Sequence, residues 1–236
     1  GRRSAGGAWG GTSWLPCSRF YNARHAAHGD QDLARGGVER KLMDLAQFRA
    51  ALPRGDLWVF GYGSLMWSPG FAFAERSVGL LRGYHRALCI LSTRYRGTHR
   101  RPGLVMGLCR GGSCWGMAFR VPAPRVRAAL AKLWNREMPR RVYQVRFVPV
   151  RISRGRKVRA LAFVADPAHS QFRRELDLHS RAQLVAQGVG ERGPCTEYIR
   201  ATLRHMAELG VSDPHLSRVL ERAEAMRARA SSRRAR

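Results

Sequence analysis

Two features of the sequence combine residue types that could do chemistry: a turn containing two glycines, and an isolated glutamate. The turn lies in WVFGYGSLMW, residues 58–67, where an apolar run is followed by Gly61 and Gly63. Only glycine lets another group approach the main chain so closely, so this pattern indicates either a tight turn or a place where a small molecule meets the backbone. Main-chain N–H groups at Gly63, Ser64 and Leu65 would suit a carboxylate, a phosphate or a developing oxyanion.

The isolated glutamate is Glu137, the only Asp or Glu between Glu75 and Asp166. The hydrophobic pattern places it at the C-terminal end of a predicted helix, where the helix dipole disfavours an anion. A lone carboxylate in such a position is a candidate for a chemical task such as proton transfer. The plainer interpretation is an ion pair with one of three nearby arginines: Arg136, Arg140 or Arg141.

These residues need a scaffold, and the hydrophobic pattern predicts an α+β fold in which strands come first and helices later. The predicted strands are residues 57–62, 78–91, 104–109, 114–121, 143–152 and 157–165. The predicted helices are residues 124–137, one or two within 170–190, then 196–210 and 212–230. Gly111 and Gly112 lie between two predicted strands, so we expect them to form the turn of a short hairpin.

The ends of the chain differ in character from its middle. Residues 1–42 are rich in glycine and arginine and lack hydrophobic periodicity, so we expect a poorly structured lead there. The folded domain is predicted at residues 43–229, followed by a basic tail at 230–236. No stretch approaches the roughly 18 apolar residues of a membrane span, so we expect no membrane partner.

The chain is strongly basic, with 43 Lys and Arg against 16 Asp and Glu and a formal net charge of +27. Such a charge suits a polyanion such as nucleic acid, a small acidic substrate steered into a cleft, or simply a solvated arginine-rich surface. No base-reading motif accompanies it, so nucleic acid is the less favoured partner. The cysteines form no CxxC pair, which argues against a disulfide framework or a zinc site and favours the cytoplasm: Cys17, Cys89, Cys109, Cys114 and Cys195.

Six motifs occur in order between residues 56 and 220: VFGYGSLMW, GLLRGYHRALCILSTRYRGTHRRPGLVMGL, CWGMAFRV, LWNREM, VY and GPCTEYI. This ordered series resembles the ChaC family, the glutathione-specific γ-glutamylcyclotransferases. The resemblance implies a γ-glutamylcyclotransferase-like mixed β-barrel with peripheral helices. It also implies a lyase that converts glutathione into 5-oxoproline and Cys-Gly and that requires no metal or organic cofactor.

The resemblance further implies roles for individual residues. Glu137 matches the family's catalytic glutamate, which acts as general base and then as general acid. The γ-glutamyl group is bound by the YGSL loop, the residues before it and a later tyrosine: Val59, Phe60, Gly61, Tyr62, Gly63, Ser64, Leu65 and Tyr143. Many relatives have Gly-Gly-Tyr where this chain has Arg141, Val142 and Tyr143, and that departure affects the local backbone.

Several alternatives stay open at this point. Glu197 and Tyr198 match a C-terminal EY motif, for which both packing and substrate contact are possible roles. The substrate could be another γ-glutamyl amine instead of glutathione, and a basic nucleic-acid-binding protein without catalysis is a third hypothesis. The sequence does not indicate the oligomeric state.

Overall fold

The structure, a computed structural model, describes residues 45–50, 52 and 54–234. The strands are β1 Leu57–Gly61, β2 Glu75–Ser92, β3 Gly103–Val121, β4 Tyr143–Ile152, β5 Lys157–Ala165, β6 Val189–Gly190 and β7 Gly193–Pro194. The helices are α1 Leu45–Ala50, α2 Ala123–Glu137, α3 Leu178–Gln187, α4 Cys195–Glu208 and α5 Pro214–Arg234, with one-turn 3₁₀ helices at Ser64–Met66 and Ser153–Gly155. The predicted lead at residues 1–42 and the last two residues of the predicted tail lie outside the described residues.

Five strands form a closed barrel in the order β1-β3-β2-β4-β5. Neighbouring strands in the barrel are antiparallel, except that β5 returns to β1 in parallel and closes it. The closing contact pairs Trp58 with Ala160 and Val59 with Leu161. The predicted α+β class, a mixed β-barrel with peripheral helices, is confirmed.

Strand β1 is apolar along its length because both of its faces are buried. Val59 and Phe60 are both fully buried, and as neighbours in a strand they point to opposite faces. Val59 belongs to an apolar cluster with Leu130 and Leu133 of α2, whereas Phe60 belongs to another with Ile199 of α4. The end of β1, where the glycine turn follows, is thereby held between α2 and α4.

Strands β2 and β3 form one long hairpin, so the hairpin predicted at Gly111 and Gly112 is wrong. Both glycines have positive φ, as does Gly83 on β2. The two strands stay paired on either side of these glycines, with a shift in register between Arg82 and Tyr84. The glycines therefore bend the strands instead of reversing the chain. The chain reverses at residues 93–102, between the two strands.

The helical second half differs from the prediction in two places. Residues 166–177 form turns and extended segments instead of a helix, and Phe172 makes an isolated β-bridge with Ile90. Helix α5 continues through Arg234, beyond the predicted end at residue 230, because its last turns contain no glycine or proline to stop it. Among the described helices, none combines the length and apolar character needed to cross a membrane.

Candidate active site

A cavity of about 350 Å³ opens beside the end of β1. Its lining comes from the glycine turn, the β2–β3 loop with the adjoining ends of both strands, the end of α2 with the segment and first residue of β4 that follow it, β5 and the segment after it, the β6–β7 turn and the first helical turn of α4. Among the described residues that line it, Glu137 is the only carboxylate and five are arginines: Arg94, Arg96, Arg136, Arg140 and Arg192. A cavity of this size and charge suits a small acidic molecule.

The glycine turn forms one wall of the cavity, and its two glycines serve different purposes. A Cβ atom on Gly61 would lie 2.8 Å from Leu65 Cβ, so Gly61 allows the turn to fold back on itself. A Cβ atom on Gly63 would lie 3.1 Å from Tyr198 Oη and 3.7 Å from Met106 Cβ, where all three residues line the cavity. Gly61 fits the tight-turn interpretation, and Gly63 fits close approach of a ligand to the backbone.

After Gly63 the chain enters the 3₁₀ helix Ser64–Met66. The N–H groups that begin such a helix have no partner within the helix. Gly63, Ser64 and Leu65 all line the cavity. Their backbone N–H groups are the donors that a bound carboxylate or carbonyl oxygen would use here.

Glu137 is the last residue of α2 and also lines the cavity, with its side chain 17% exposed. Arg136 Nε pairs with Glu137 Oε1 at 3.0 Å, so the expected ion pair with a neighbouring arginine exists inside the cavity itself. The Arg136 guanidinium also donates to Ser64 Oγ at 2.8 Å and to the Ser68 carbonyl oxygen. Arg136 therefore connects the carboxylate to the glycine turn.

Burial raises the pKa of the Glu137 carboxyl above its ordinary value. The positive charges of Arg136 and Arg192, and the hydrogen bond from Arg136, lower the pKa and offset part of this rise. The C-terminal end of a helix also disfavours an anion. A carboxylate with a raised pKa accepts a proton more readily, which suits a group that must deprotonate an ammonium ion.

Three of the four tyrosines that line the cavity are buried, and two of these three hold the backbone of Met106. Tyr143 Oη donates to the Met106 carbonyl at 3.1 Å, and Tyr198 Oη accepts from the Met106 N–H at 3.1 Å. Tyr62 Oη donates to the Phe163 carbonyl at 2.6 Å. Burial raises the pKa of all three phenols, and the adjacent carboxylate adds to the rise, so the tyrosines are neutral donors and acceptors.

The mouth of the cavity consists of residues 93–96 of the β2–β3 loop and the β6–β7 turn at Glu191 and Arg192. The Glu191 N–H donates to the Arg94 carbonyl at 2.9 Å, and the Arg192 N–H donates to the Tyr95 carbonyl at 3.0 Å. Arg94 Nε lies 2.9 Å from both carboxylate oxygens of Glu191. The Arg192 guanidinium lies over the Tyr95 ring, 4.3 Å from its centroid. Two backbone and two side-chain contacts thus join the halves of the mouth.

The sequence model of the family described as ChaC-like protein matches residues 57–226 of this chain. The chain belongs to the ChaC family. It is similar to the glutathione-specific gamma-glutamylcyclotransferase of Escherichia coli strain K12, with 34% identity over 202 residues that cover 82% of this chain and 87% of the relative. Glutathione-specific gamma-glutamylcyclotransferase 1 of Homo sapiens is 33% identical over 184 residues, covering 73% of this chain and 82% of the relative.

A solved structure of a cyclotransferase shares the fold. The crystal structure of the gamma glutamyl cyclotransferase specific to glutathione from yeast, labelled with selenomethionine, has a TM-score of 0.68 to this chain. It is 19% identical and the match covers 74% of this chain and 98% of that one. The barrel with peripheral helices is therefore an architecture that this chain has in common with a solved cyclotransferase.

Most of the residues predicted from the ChaC resemblance line the cavity together: Tyr62, Gly63, Ser64, Leu65, Glu137 and Tyr143. Val59, Phe60 and Gly61 do not line it and are buried within β1. They support the turn from behind: Val59 and Phe60 pack into the two apolar clusters, and Gly61 lies against Leu65. Glu197 also lies away from the cavity lining and is exposed, whereas its neighbour Tyr198 lines the cavity.

The backbone is unusual where this chain departs from the Gly-Gly-Tyr pattern of many ChaC relatives. Arg141 has φ 52°, in the left-handed region that glycine adopts without strain. A side chain in that region costs roughly 1–2 kcal/mol. The backbone nevertheless bends at Arg141, and the next two residues, Val142 and Tyr143, line the cavity.

Sequence reasoning did not identify several cavity residues. Gln171 lies outside the quoted motifs, and Met106 lies inside the long motif of residues 79–108 without a predicted site role. Arg192 lies just before the EY motif, and it reaches the cavity because the β6–β7 turn binds the β2–β3 loop. Within the part of the chain that the structure describes, no cluster of His, Cys, Asp and Glu could hold a metal ion.

Proposed function

We propose that this protein cleaves glutathione by cyclising its γ-glutamyl group, which releases 5-oxoproline and Cys-Gly. The observation that carries the proposal is Glu137, a buried carboxylate with a raised pKa that faces a basic cavity next to the glycine turn. Membership of the ChaC family supports it, as do relatives named as glutathione-specific gamma-glutamylcyclotransferases.

The reaction needs little beyond positioning and proton transfer. The α-amine of the γ-glutamyl residue attacks the side-chain amide carbon, a C–N bond of the five-membered lactam forms, and the C–N bond to the cysteine breaks. The nucleophile is tethered to its target, so holding the folded conformer supplies much of the rate. No water is consumed. The attacking nitrogen loses two protons as it changes from an ammonium to the lactam N–H, and the cysteinyl nitrogen gains two as it leaves and becomes an ammonium. One proton must leave the attacking nitrogen before the C–N bond forms.

Glu137 is the group that moves this proton in our proposal. The α-ammonium of the γ-glutamyl residue cannot attack until it loses its proton. The Glu137 carboxylate accepts that proton as general base and then donates it to the leaving nitrogen as general acid. The raised pKa of Glu137 lies closer to the pKa of the ammonium group, and this lowers the free-energy cost of moving the proton from the ammonium to the carboxylate.

The turn and the tyrosine hold the substrate for this transfer. We propose that the γ-glutamyl group binds against Tyr62, Gly63, Ser64 and Leu65, with backbone N–H groups donating to its oxygen atoms. Tyr143 completes that part of the cavity. Val59, Phe60 and Gly61 contribute by fixing the turn, because they lie behind it.

We further propose that the protein works in the cytoplasm on reduced glutathione. The four described cysteines are free thiols, which supports a reducing compartment: Cys89, Cys109, Cys114 and Cys195. Cys17 lies outside the described residues.

The test is the product balance from purified protein and reduced glutathione. We expect 5-oxoproline and Cys-Gly in equal amounts, with no free glutamate. Free glutamate would indicate hydrolysis instead of cyclisation. If 5-oxoproline forms from a γ-glutamyl amino acid but not from glutathione, the reaction is right and the proposed substrate is wrong.

A further inference from the structure

Five arginines line the cavity, and they differ in what they already bind. Four of them donate side-chain hydrogen bonds to protein groups: Arg94 to Glu191, Arg96 to the Pro194 carbonyl, Arg136 to Ser64, and Arg140 to His99. Within residues 45–50, 52 and 54–234, the Arg192 guanidinium makes no hydrogen bond or ion pair. A planar group with five N–H donors is therefore available at the mouth of the cavity.

Arg192 is nevertheless held in place. Its guanidinium carbon lies 4.3 Å from the centroid of the Tyr95 ring, and its own N–H donates to the Tyr95 carbonyl. Stacking of this kind fixes the plane of a guanidinium while leaving its edge free to donate hydrogen bonds. A cation that is already oriented loses little freedom when it binds a carboxylate. Its positive charge also acts on the pKa of Glu137, so it faces the same cavity as the proposed base.

The proposed substrate brings one carboxylate that the rest of the site leaves unmatched. Glutathione has two carboxylates. The first is on the carbon that bears the reacting amine, so it must stay close to Glu137 and the glycine turn. The second belongs to the glycine, two residues beyond the scissile bond, and an extended chain places it up to roughly 7 Å away. The glycine carboxylate can therefore extend from Glu137 and the glycine turn toward the mouth of the cavity.

We propose that Arg192 binds the glycine carboxylate of glutathione in a charge-assisted, bidentate contact and so selects glutathione over γ-glutamyl compounds that lack this carboxylate. This inference rests on the proposed function. It assigns specificity to a residue at the exposed mouth, outside the motifs that resemble the ChaC family. It also explains why this arginine has no protein partner: its partner is the substrate.

The experiment compares two substrates that differ only at that carboxylate. One is glutathione, and the other is glutathione in which the glycine carboxylate is a carboxamide. For the wild-type protein we expect kcat/KM to be about 10- to 100-fold higher for glutathione, since a hydrogen bond to a charged group contributes on this scale. Both substrates carry the same γ-glutamyl group, so any change at Glu137 cancels in their ratio.

The decisive variant is Arg192→Gln, which removes the charge from an exposed side chain. We expect the ratio of kcat/KM for glutathione to kcat/KM for the carboxamide to fall to about 1, because the effect of Arg192 on the pKa of Glu137 is the same for both substrates. The matched control is Arg94→Gln. It also removes a positive charge from the mouth of the cavity, but from an arginine that is already paired with Glu191. We expect the substrate ratio of this control to stay at the wild-type value.

The outcomes separate this inference from the proposed function. If wild-type protein converts both substrates and Arg192→Gln keeps the preference for glutathione, Arg192 does not bind the carboxylate. An equal loss of preference in Arg94→Gln would mean that general charge at the mouth is responsible, which also overturns the inference. If the wild type forms no 5-oxoproline from either substrate, the proposed function fails and the inference fails with it.

Discussion

The cavity has two parts that hold their charges in different ways. At the buried wall, Arg136 and Glu137 form an ion pair whose side chains are 13% and 17% exposed. At the mouth, Arg94 and Glu191 form one whose side chains are 52% and 56% exposed. Exposed pairs contribute about 0–1 kcal/mol to stability, whereas breaking a buried pair by removing one partner costs about 3–5 kcal/mol.

This difference suggests how the molecule separates two tasks. The wall contains the group proposed to move the proton, and its neighbours are fixed by contacts that are costly to change. The mouth contains the groups proposed to distinguish substrates, and its side chains can be replaced with little effect on folding. Reaction and selectivity are therefore open to separate tests by mutation, and the predictions below start with the largest expected effect.

The largest effect is expected at the wall, from Glu137→Gln. The substitution keeps the shape of the side chain and removes its ability to accept a proton. We expect turnover of glutathione to fall by about 10²- to 10⁴-fold, the usual contribution of general acid–base catalysis, while the circular dichroism spectrum is unchanged.

The control for this variant is Glu197→Gln, which changes an exposed carboxylate outside the cavity lining. It should keep the wild-type rate. A Glu137→Gln protein that turned over glutathione normally would remove Glu137 from the proposed mechanism. Glu75 could not replace it, because Glu75 pairs with Arg120 and Arg156 and does not line the cavity.

The next effect concerns the turn in the wall. Gly63→Val places a branched side chain where an added Cβ atom alone would lie 3.1 Å from Tyr198 Oη. We expect kcat/KM for glutathione to fall by about 10²-fold, as for other small displacements of a bound substrate, with a moderate loss of thermal stability.

Two related variants sharpen this prediction. Gly63→Ala should lose less activity, and adding Tyr198→Phe to Gly63→Ala should restore part of it, because the closest oxygen is gone. If Gly63→Val is unfolded, the glycine is needed for the backbone of the turn and not for access of the substrate.

A smaller effect is expected in the pH profile of Arg136→Gln. Glu137 must be ionised to act as a base, so wild-type kcat/KM should fall as the pH drops through a pKa above the ordinary glutamate value. Arg136 lowers the pKa of Glu137. Its removal should therefore move the acid limb of the profile to higher pH.

The mouth supplies the comparison for this shift. Arg94 is paired with Glu191 and not with Glu137, so Arg94→Gln should leave the acid limb in place. The profile of kcat/KM for each variant, measured on glutathione, checks this. An acid limb that is unmoved in Arg136→Gln would show that Glu137 does not set it.

A still smaller effect is expected from Arg141→Gly, next to the wall. Arg141 has φ 52°, which is strained for arginine and relaxed for glycine. After allowing for the greater freedom of glycine in the unfolded chain, we expect the free energy of unfolding to rise by about 0.5–1 kcal/mol. Urea denaturation measures it. A loss of stability would mean that the arginine side chain contributes more than its backbone conformation costs.

The smallest effect is expected from trimming both ends to residues 43–229. We propose that the folded domain lies within these bounds, because residues 1–42 lack hydrophobic periodicity and the family match covers residues 57–226. At the other end, residues 231–233 of α5 are exposed. The melting temperature and the rate on glutathione should match those of the full chain. A marked drop in either would place a boundary elsewhere.

The wall could be anticipated from the sequence, because its signals are local. The two glycines of the turn and the isolation of Glu137 are visible in short stretches, and the ordered motifs point to the same residues. Predicted strands at residues 143–152 and 157–165 match β4 and β5 because alternation and the SRGR turn are equally local. The features predicted correctly are those that depend on residues close together in the sequence.

The mouth and the long hairpin could not be anticipated in the same way. Gly111 and Gly112 have the composition of a turn, and only the pairing of β2 with β3 shows that they bend a strand. Arg192 reaches the cavity through hydrogen bonds to residues about 100 positions earlier in the chain. Such contacts depend on the tertiary structure, which the local pattern around Arg192 does not contain.

The closing pair of the barrel has a consequence for synthesis on the ribosome. β1 is among the first elements of the domain to emerge, but its parallel partner β5 follows much later, and the hydrogen bond from Tyr62 to Phe163 spans 101 residues. Until β5 has been translated, an apolar strand has an unpaired edge that can bind to other nascent chains. Tyr62, which lines the cavity, can donate to the Phe163 carbonyl only when the barrel closes. A ribosome stalled before residue 160 would therefore carry a chain that is both prone to aggregation and inactive.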